Sequence, residues 1–193
     1  MGCSISSVSP AFFETTECPS AVINNEKEGD VYLMVYADTN LPGDTKLQQN
    51  YSIVIDVAGE SINDHDTSGG AFIPKGVEIY LSLSDGVVNV QTQRNDHLKP
   101  MFQSYKLLGK IENVYHQGNP KEWSDGLKQA AEKFFNEFKS QNGNQWNHQC
   151  NSHKFSKYLI EKLSNNNPHQ LQFPKEIYIA GENDKEFPIY FKI

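Results

Sequence analysis

The chain has 193 residues, a length that suits one domain with or without a tail. Its 17 Lys and Arg residues against 24 Asp and Glu give a net charge of −7, and so acidic a chain lacks the basic face that non-specific nucleic-acid binding needs. Aromatic residues make up 11% of the chain, too many for an intrinsically disordered protein. No run of about 18 apolar residues is present, so we expect no membrane-spanning helix.

The first six residues (MGCSIS) fit the N-myristoylation pattern, in which Gly2 is acylated after removal of Met1. One myristoyl chain binds a bilayer only weakly, so a second signal is needed. The first basic residue is Lys27, and S-palmitoylation of Cys3 would therefore have to supply that signal. We expect lipids on Gly2 and Cys3, association with a membrane surface, and a flexible tail over residues 1–29; the alternative is an unmodified start.

Cysteine usage bears on the compartment. The three cysteines are Cys3, Cys18 and Cys150. An odd, sparse set that follows no secretory leader is typical of a reducing environment. We therefore expect a cytoplasmic protein whose membrane association depends on its lipids.

Five segments after the tail have the composition of β-strands. Residues 31–37 alternate with apolar side chains on both faces, which predicts a strand buried on both sides. Asp85-Gly86 is a hairpin signal between two further segments. The remaining predicted strands cover residues 52–58, 77–83, 87–93 and 105–111.

Two helices are predicted next. Residues 120–139 carry apolar side chains at helical spacing, with Pro120 suited to the first turn. A second helix is predicted over residues 152–163, and two strand-like segments, 176–180 and 187–193, close the chain. The pattern indicates a single α+β domain over residues 30–193, with a mainly antiparallel sheet and two helices.

The segment richest in reactive side chains precedes the second helix. Cys150 lies close to the predicted helix start, where free N–H groups and the helix dipole lower a thiol pKa. Papain-like enzymes activate a nucleophilic cysteine in this way, with a histidine as base. Cys150 is therefore a candidate nucleophile; the alternative is an inert, half-buried thiol.

Three short motifs resemble a known family. Residues 151–156 (NSHKFS) resemble the Asn-Cys-x-x-Phe-Ser motif of the PPPDE desumoylating and deubiquitinating isopeptidases and, more distantly, of lecithin:retinol acyltransferase-like enzymes. Residues 31–36 (VYLMVY) resemble the family's opening strand, and residues 50–55 (NYSIVI) resemble its His-Thr-Ser-Ile-Val-Val strand, which carries the catalytic histidine. The resemblance, over residues 31–163, implies a permuted papain-like fold and a cofactor-free thiol hydrolase of ubiquitin-like or peptide conjugates.

The chain departs from the family at the catalytic positions. If Phe155 sets the register, Ser152 stands at the nucleophile position and Asn50 at the histidine position. Asparagine is no general base, so the protein would then be a pseudoenzyme. If the register shifts by two, Cys150 is the nucleophile and the base comes from elsewhere. The candidate bases are His65, His97 and His116.

Other roles for these residues stay open. Ser152 or Asn151 could cap the second helix. His148, Cys150 and His153 could approach a metal, but a zinc site needs four ligands and His169 is the nearest fourth, so we expect no metal and no cofactor.

Three functions therefore remain. The leading expectation is a membrane-tethered thiol hydrolase that acts on a protein or peptide conjugate, with Cys150, Ser152 and Asn50 as the candidate site. The alternative is a non-enzymatic binding or scaffold module on the same fold, and a third is a lipid acyltransferase.

Overall fold

The computed structural model describes residues 17–37, 49–63, 72–112, 119–165, 171–175 and 177. Within these ranges the chain forms strands first and helices afterwards, in the predicted order. The strands are β1 (Asp30–Ala37), β2 (Gln49–Ile55), β3 (Ile62–Asn63), β4 (Phe72–Ile73), β5 (Gly76–Ser84), β6 (Val87–Asn95) and β7 (Phe102–Lys110). The helices are α1 (Pro120–Asn142) and α2 (Ser152–Asn165). The strands predicted at 176–180 and 187–193 lie outside the described residues, apart from residue 177.

Five strands form one antiparallel sheet in the order β6-β5-β2-β1-β7, and β3 pairs with β4 separately. The predicted α+β class, with an antiparallel sheet and two helices, is confirmed. Asp85 and Gly86 connect β5 to β6 with φ values of 50° and 78°. Positive φ at both positions is what a two-residue hairpin turn of this hand requires, which agrees with the hairpin signal in the sequence.

Both helices pack on one face of the sheet. Leu33 of β1, Ile53 of β2 and Ile79 of β5 belong to the same buried cluster as Trp123 of α1 and Phe155 of α2. The cluster is possible because strand residues two apart share a face and helix residues three or four apart do the same. This face holds the main core and fixes α2 against β2.

The opposite face of the sheet carries a second buried cluster. Tyr32, Met34 and Tyr36 of β1 pack with Val54 of β2, and Phe102 lies against them. The pattern of β1, with every residue from 31 to 36 buried, agrees with the prediction of a strand covered on both sides.

Strand β2 begins and ends three residues earlier than the prediction of 52–58. The early end is caused by Asp56, whose carboxylate accepts hydrogen bonds from the backbone N–H groups of Ala58, Glu60 and Ser61 at 3.2, 2.9 and 2.8 Å. A carboxylate that bonds its own following backbone turns the chain away from the strand path. Because the strand begins at Gln49, position 50 lies within it, next to its first residue.

The described part of the predicted tail packs on the domain. The backbone N–H of Ile23 donates to the Ala58 carbonyl, and that of Gly29 donates to the Asp56 carbonyl, both at 2.7 Å. The Lys110 ammonium donates to the Glu28 carbonyl at 2.8 Å. The ordered unit thus includes residues N-terminal to position 30, whereas residues 1–16, with Gly2 and Cys3, lie outside the described residues.

Neither helix in the described ranges combines the length and the apolarity that crossing a bilayer requires.

Candidate functional site at the start of α2

The first turn of α2 and the first residues of β2 meet. The Ser152 hydroxyl donates to the side-chain oxygen of Asn50 at 3.0 Å. The same hydroxyl accepts a hydrogen bond from the backbone N–H of Tyr51 at 3.4 Å. The two positions that the family motif pairs therefore lie within hydrogen-bond distance, although they are 102 residues apart in the chain.

The sequence explains why Ser152 is available for this contact. Asn151, and not Ser152, caps α2, because its side-chain oxygen accepts from the backbone N–H of Lys154 at 3.0 Å. The Asn151 amide also donates to the carbonyls of Asn147 and His148, at 2.9 and 3.2 Å. With the cap supplied by its neighbour, the Ser152 hydroxyl points to β2 instead.

His153 strengthens the same junction. Its ring stacks on Tyr51 with centroids 4.4 Å apart, and its Nε2 contacts the backbone carbonyl of Gln49. A ring N–H that donates to a carbonyl fits this contact. His153 therefore joins the helix start to β2, whereas the sequence analysis considered it only as a residue that could approach a metal.

The junction is closed to solvent. Asn50 has no exposed surface, Ser152 and Asn151 are each 1% exposed, and His153 is 2% exposed. The amide nitrogen of Asn50 is also buried and has no hydrogen-bond partner within the described ranges. A buried polar atom without a partner costs roughly 1–3 kcal/mol. Burial of the Asn50 side chain therefore costs folding free energy, which its hydrogen bond to Ser152 only partly offsets.

Cys150 lies in the main core and not at the junction. The residue is fully buried, and burial raises the pKa of its thiol to about 11. An imidazolium or a helix start acting on the sulfur would lower the pKa instead. At neutral pH the side chain is therefore a protonated thiol, which is a poor nucleophile.

The other candidate bases lie away from this junction or outside the described residues. His97 is exposed and its Nδ1 lies 2.5 Å from a carboxylate oxygen of Asp96, just past the end of β6. His65, His116 and His169 lie outside the described residues. Within the described ranges no group of three or more His, Cys, Asp or Glu side chains is placed to hold a metal ion.

The chemistry open to the junction follows from these contacts. An amide has no basic nitrogen, so Asn50 cannot take the proton of the Ser152 hydroxyl. A serine without a base is a weak nucleophile. The arrangement places a serine at a helix start against an amide on a strand, and the two groups bind each other without activating one another.

A second buried polar centre was missed by the sequence analysis. Glu78 of β5 has no exposed surface. One carboxylate oxygen accepts from the hydroxyls of Tyr36 and Ser52, at 2.9 and 2.5 Å. The other accepts from the Gln93 amide at 3.1 Å and from the Lys99 ammonium. The one signal in the sequence was a glutamate inside the apolar alternation of residues 77–83.

Comparison of the chain with protein-family models, with curated proteins and with solved structures found no match.

Proposed function

We propose that this chain is a non-catalytic binding module for a protein or peptide partner, built on a permuted papain-like fold and related to the PPPDE isopeptidases. The observation that carries the proposal is the 3.0 Å hydrogen bond from Ser152 to Asn50. In the family motif these positions hold the catalytic cysteine and histidine, so the bond joins a pair in which both catalytic groups have been replaced.

The order of elements supports the fold part of the proposal. A strand that carries position 50 precedes a helix that begins at position 152, which is the permuted order. Phe155, the phenylalanine of the motif, is buried between α1 and α2, with its ring 5.8 Å from that of Phe135 and 5.4 Å from that of Phe138. A core role for Phe155 supports the register that puts Ser152, and not Cys150, at the nucleophile position.

Chemistry favours binding over hydrolysis. The pair at positions 50 and 152 has neither a base nor an activated nucleophile, and it is closed to solvent. The alternative nucleophile, Cys150, is fully buried with a raised pKa. A thiol hydrolase needs a thiolate that a substrate can reach. We therefore prefer the binding module to a hydrolase that uses Cys150.

The proposal includes a tether to the membrane through lipids on Gly2 and Cys3. It is supported by the sequence of residues 1–6 alone. A module without catalytic activity would then act by concentrating its partner at a membrane surface.

The experiment restores the family's residues in the full-length chain. Asn50→His combined with Ser152→Cys is compared with Ser152→Cys alone and with Ser152→Cys plus Asn89→His, a matched control whose histidine lies at an exposed position on β6. Ionisation of the thiol at position 152 is followed by the ultraviolet absorbance of the thiolate as the pH is raised, as a difference from the unmodified chain, so that no reagent has to reach the buried side chain. We expect the thiol pKa of the first variant to lie at least about one unit below that of the other two, because a neighbouring imidazole stabilises a thiolate.

Two outcomes would overturn the proposal. Equal thiol pKa values in the three variants would show that positions 50 and 152 are not a nucleophile–base pair of this fold. Cleavage of a ubiquitin-like conjugate by the unmodified chain, lost on Ser152→Ala or Cys150→Ala, would show that the protein is an enzyme.

A further inference from the structure

A groove lies between α1 and β6, which is the edge strand at the end of the sheet opposite β7. It has a volume of about 420 Å³. It is lined by residues of β5 and β6, among them Thr92 and Arg94, and by Lys121, Asp125 and Lys128 of α1. This size falls within the range of ligand-binding clefts in proteins.

The backbone along this groove has unused hydrogen-bonding groups. The N–H of Val88 donates to the Asn144 carbonyl at 2.8 Å and therefore points away from β5. The register of β5 with β6 is unbroken from Val87 to Asn95. Because backbone groups alternate sides along a strand, Val90, Thr92 and Arg94 present their N–H and C=O groups at the same free edge. Within the described ranges no backbone partner takes them.

The chain itself shows that this edge accepts an added strand. After α1 ends, Gln145 forms an antiparallel bridge with Val87, beside the bond from Val88 to Asn144. The pairing stops there, and the β6 residues that line the groove lie farther along the same strand. A peptide bound in the groove would continue an interaction that residues 144–145 already start.

Charges on the groove define the side chains that would fit. The Arg94 guanidinium, which lines the groove, is already paired with the Glu60 carboxylate. On α1, Asp125 lies between Lys121 and Lys128 in the chain, so the helix residues that line the groove carry one excess positive charge. Glu17 also lines the groove. An acidic side chain is therefore favoured where the bound peptide faces α1.

We propose that this groove binds an extended peptide segment of a partner protein, which adds as a strand to the free edge at Val90, Thr92 and Arg94 and directs a carboxylate to Lys121 and Lys128. Strand addition beside a helix is a common mode of peptide recognition, in which backbone bonds supply affinity and side-chain pockets supply specificity. The inference gives the proposed binding module its binding surface and rests on the proposed function only in that sense.

The test uses the full-length chain and a fluorescently labelled, end-blocked probe peptide of sequence TEVEVET, with TKVKVKT as the charge-reversed probe. We expect the acidic probe to bind more tightly than the basic one by fluorescence anisotropy. Thr92→Pro should weaken binding of the acidic probe at least about tenfold, because proline lacks the edge N–H that would bond the peptide. The fold should tolerate the substitution, because an edge strand does not use that N–H within the sheet. Lys121→Gln with Lys128→Gln should abolish the preference for the acidic probe. Lys106→Gln, on the other edge strand, is the control and should leave binding unchanged.

Hydrogen exchange identifies the occupant. We expect the Thr92 and Arg94 amides to exchange rapidly in the free chain and slowly with the acidic probe bound. Slow exchange in the free chain would show that a segment of the protein itself fills the edge, and it would overturn the proposal. Absence of binding, equal affinity for both probes, or binding insensitive to Thr92→Pro would overturn it as well. None of these results affects the thiol titration at positions 50 and 152, so the two proposals can fail separately.

Discussion

Alkaline pH should destabilise this protein through one buried thiol. Burial raises the pKa of Cys150 from 9.0 to about 11. Below pH 9 the thiol is protonated in both the folded and the unfolded chain, and the full stability is present. Between these two values the unfolded chain loses its proton and the folded chain does not, so the free energy of unfolding falls as pH rises. Above about pH 11 both states ionise and the fall ends.

The size of the effect follows from the shift. Each unit of pKa difference corresponds to about 1.4 kcal/mol, so the group should account for a loss of about 3 kcal/mol across this window. For a domain whose total stability is of order 5–15 kcal/mol, a loss of that size is readily measured.

The assay is urea unfolding of the full-length chain under reducing conditions, repeated between about pH 8 and pH 11. Tyr80, whose pKa burial raises to about 12, also contributes in this range. The comparison is therefore between the unmodified chain and Cys150→Ala, with Cys18→Ala as a second comparison at a half-buried thiol whose pKa burial also raises. Cys150→Ala should be less stable at pH 8 but should have a flatter pH profile. Parallel profiles for the two chains would refute the argument.

Two further predictions concern stability and are measured by urea unfolding. Ser152→Ala leaves a buried amide oxygen without its donor and should cost about 1–3 kcal/mol, whereas Ser140→Ala, at an exposed hydroxyl, should change stability by less than about 0.5 kcal/mol; equal effects would contradict the role assigned to the junction. Gly76 and Gly86 both have positive φ, 141° and 78°, but only at Gly76 would a Cβ overlap the backbone, at the Ile55 carbonyl. Gly76→Ala should therefore cost at least about 3 kcal/mol and Gly86→Ala about 1 kcal/mol, and a reversed order would count against the close approach of β5 to β2.

Much of the fold could be predicted because its signals are local. The alternation in β1, the Asp85-Gly86 hairpin and the helical spacing of α1 each depend on residues that lie close together in the chain. The boundaries of β2 could not be predicted, because Asp56 ends the strand by bonding backbone groups up to five residues ahead. The strand-like composition of residues 53–58 does not show where the backbone turns.

The site was predictable in its positions and not in its environment. The resemblance to the PPPDE motifs implied that positions 50 and 152 lie together, and the structure has them in contact. Whether the Cys150 thiol lies at a helix start or in the core depends on the residue at which α2 begins. The sequence put the thiol at a helix start, which would lower its pKa, but Asn151 caps the helix one residue later and the thiol enters the core. Likewise, nothing near Glu78 in the chain reveals that Tyr36 and Ser52 come from two other strands to meet it.

The contact between β2 and α2 has a consequence for how the chain reaches its native state. Ser152 and Asn50 are separated by 102 positions, so their contact closes a long loop. The conformational entropy lost in closing that loop is not compensated until the side chains pack. Contacts of such long range form slowly and depend on a sheet that has already assembled. The five strands of the sheet all precede α2 in the chain, so a newly made chain exposes the helix-facing side of the sheet until α2 has been synthesised and packs on it.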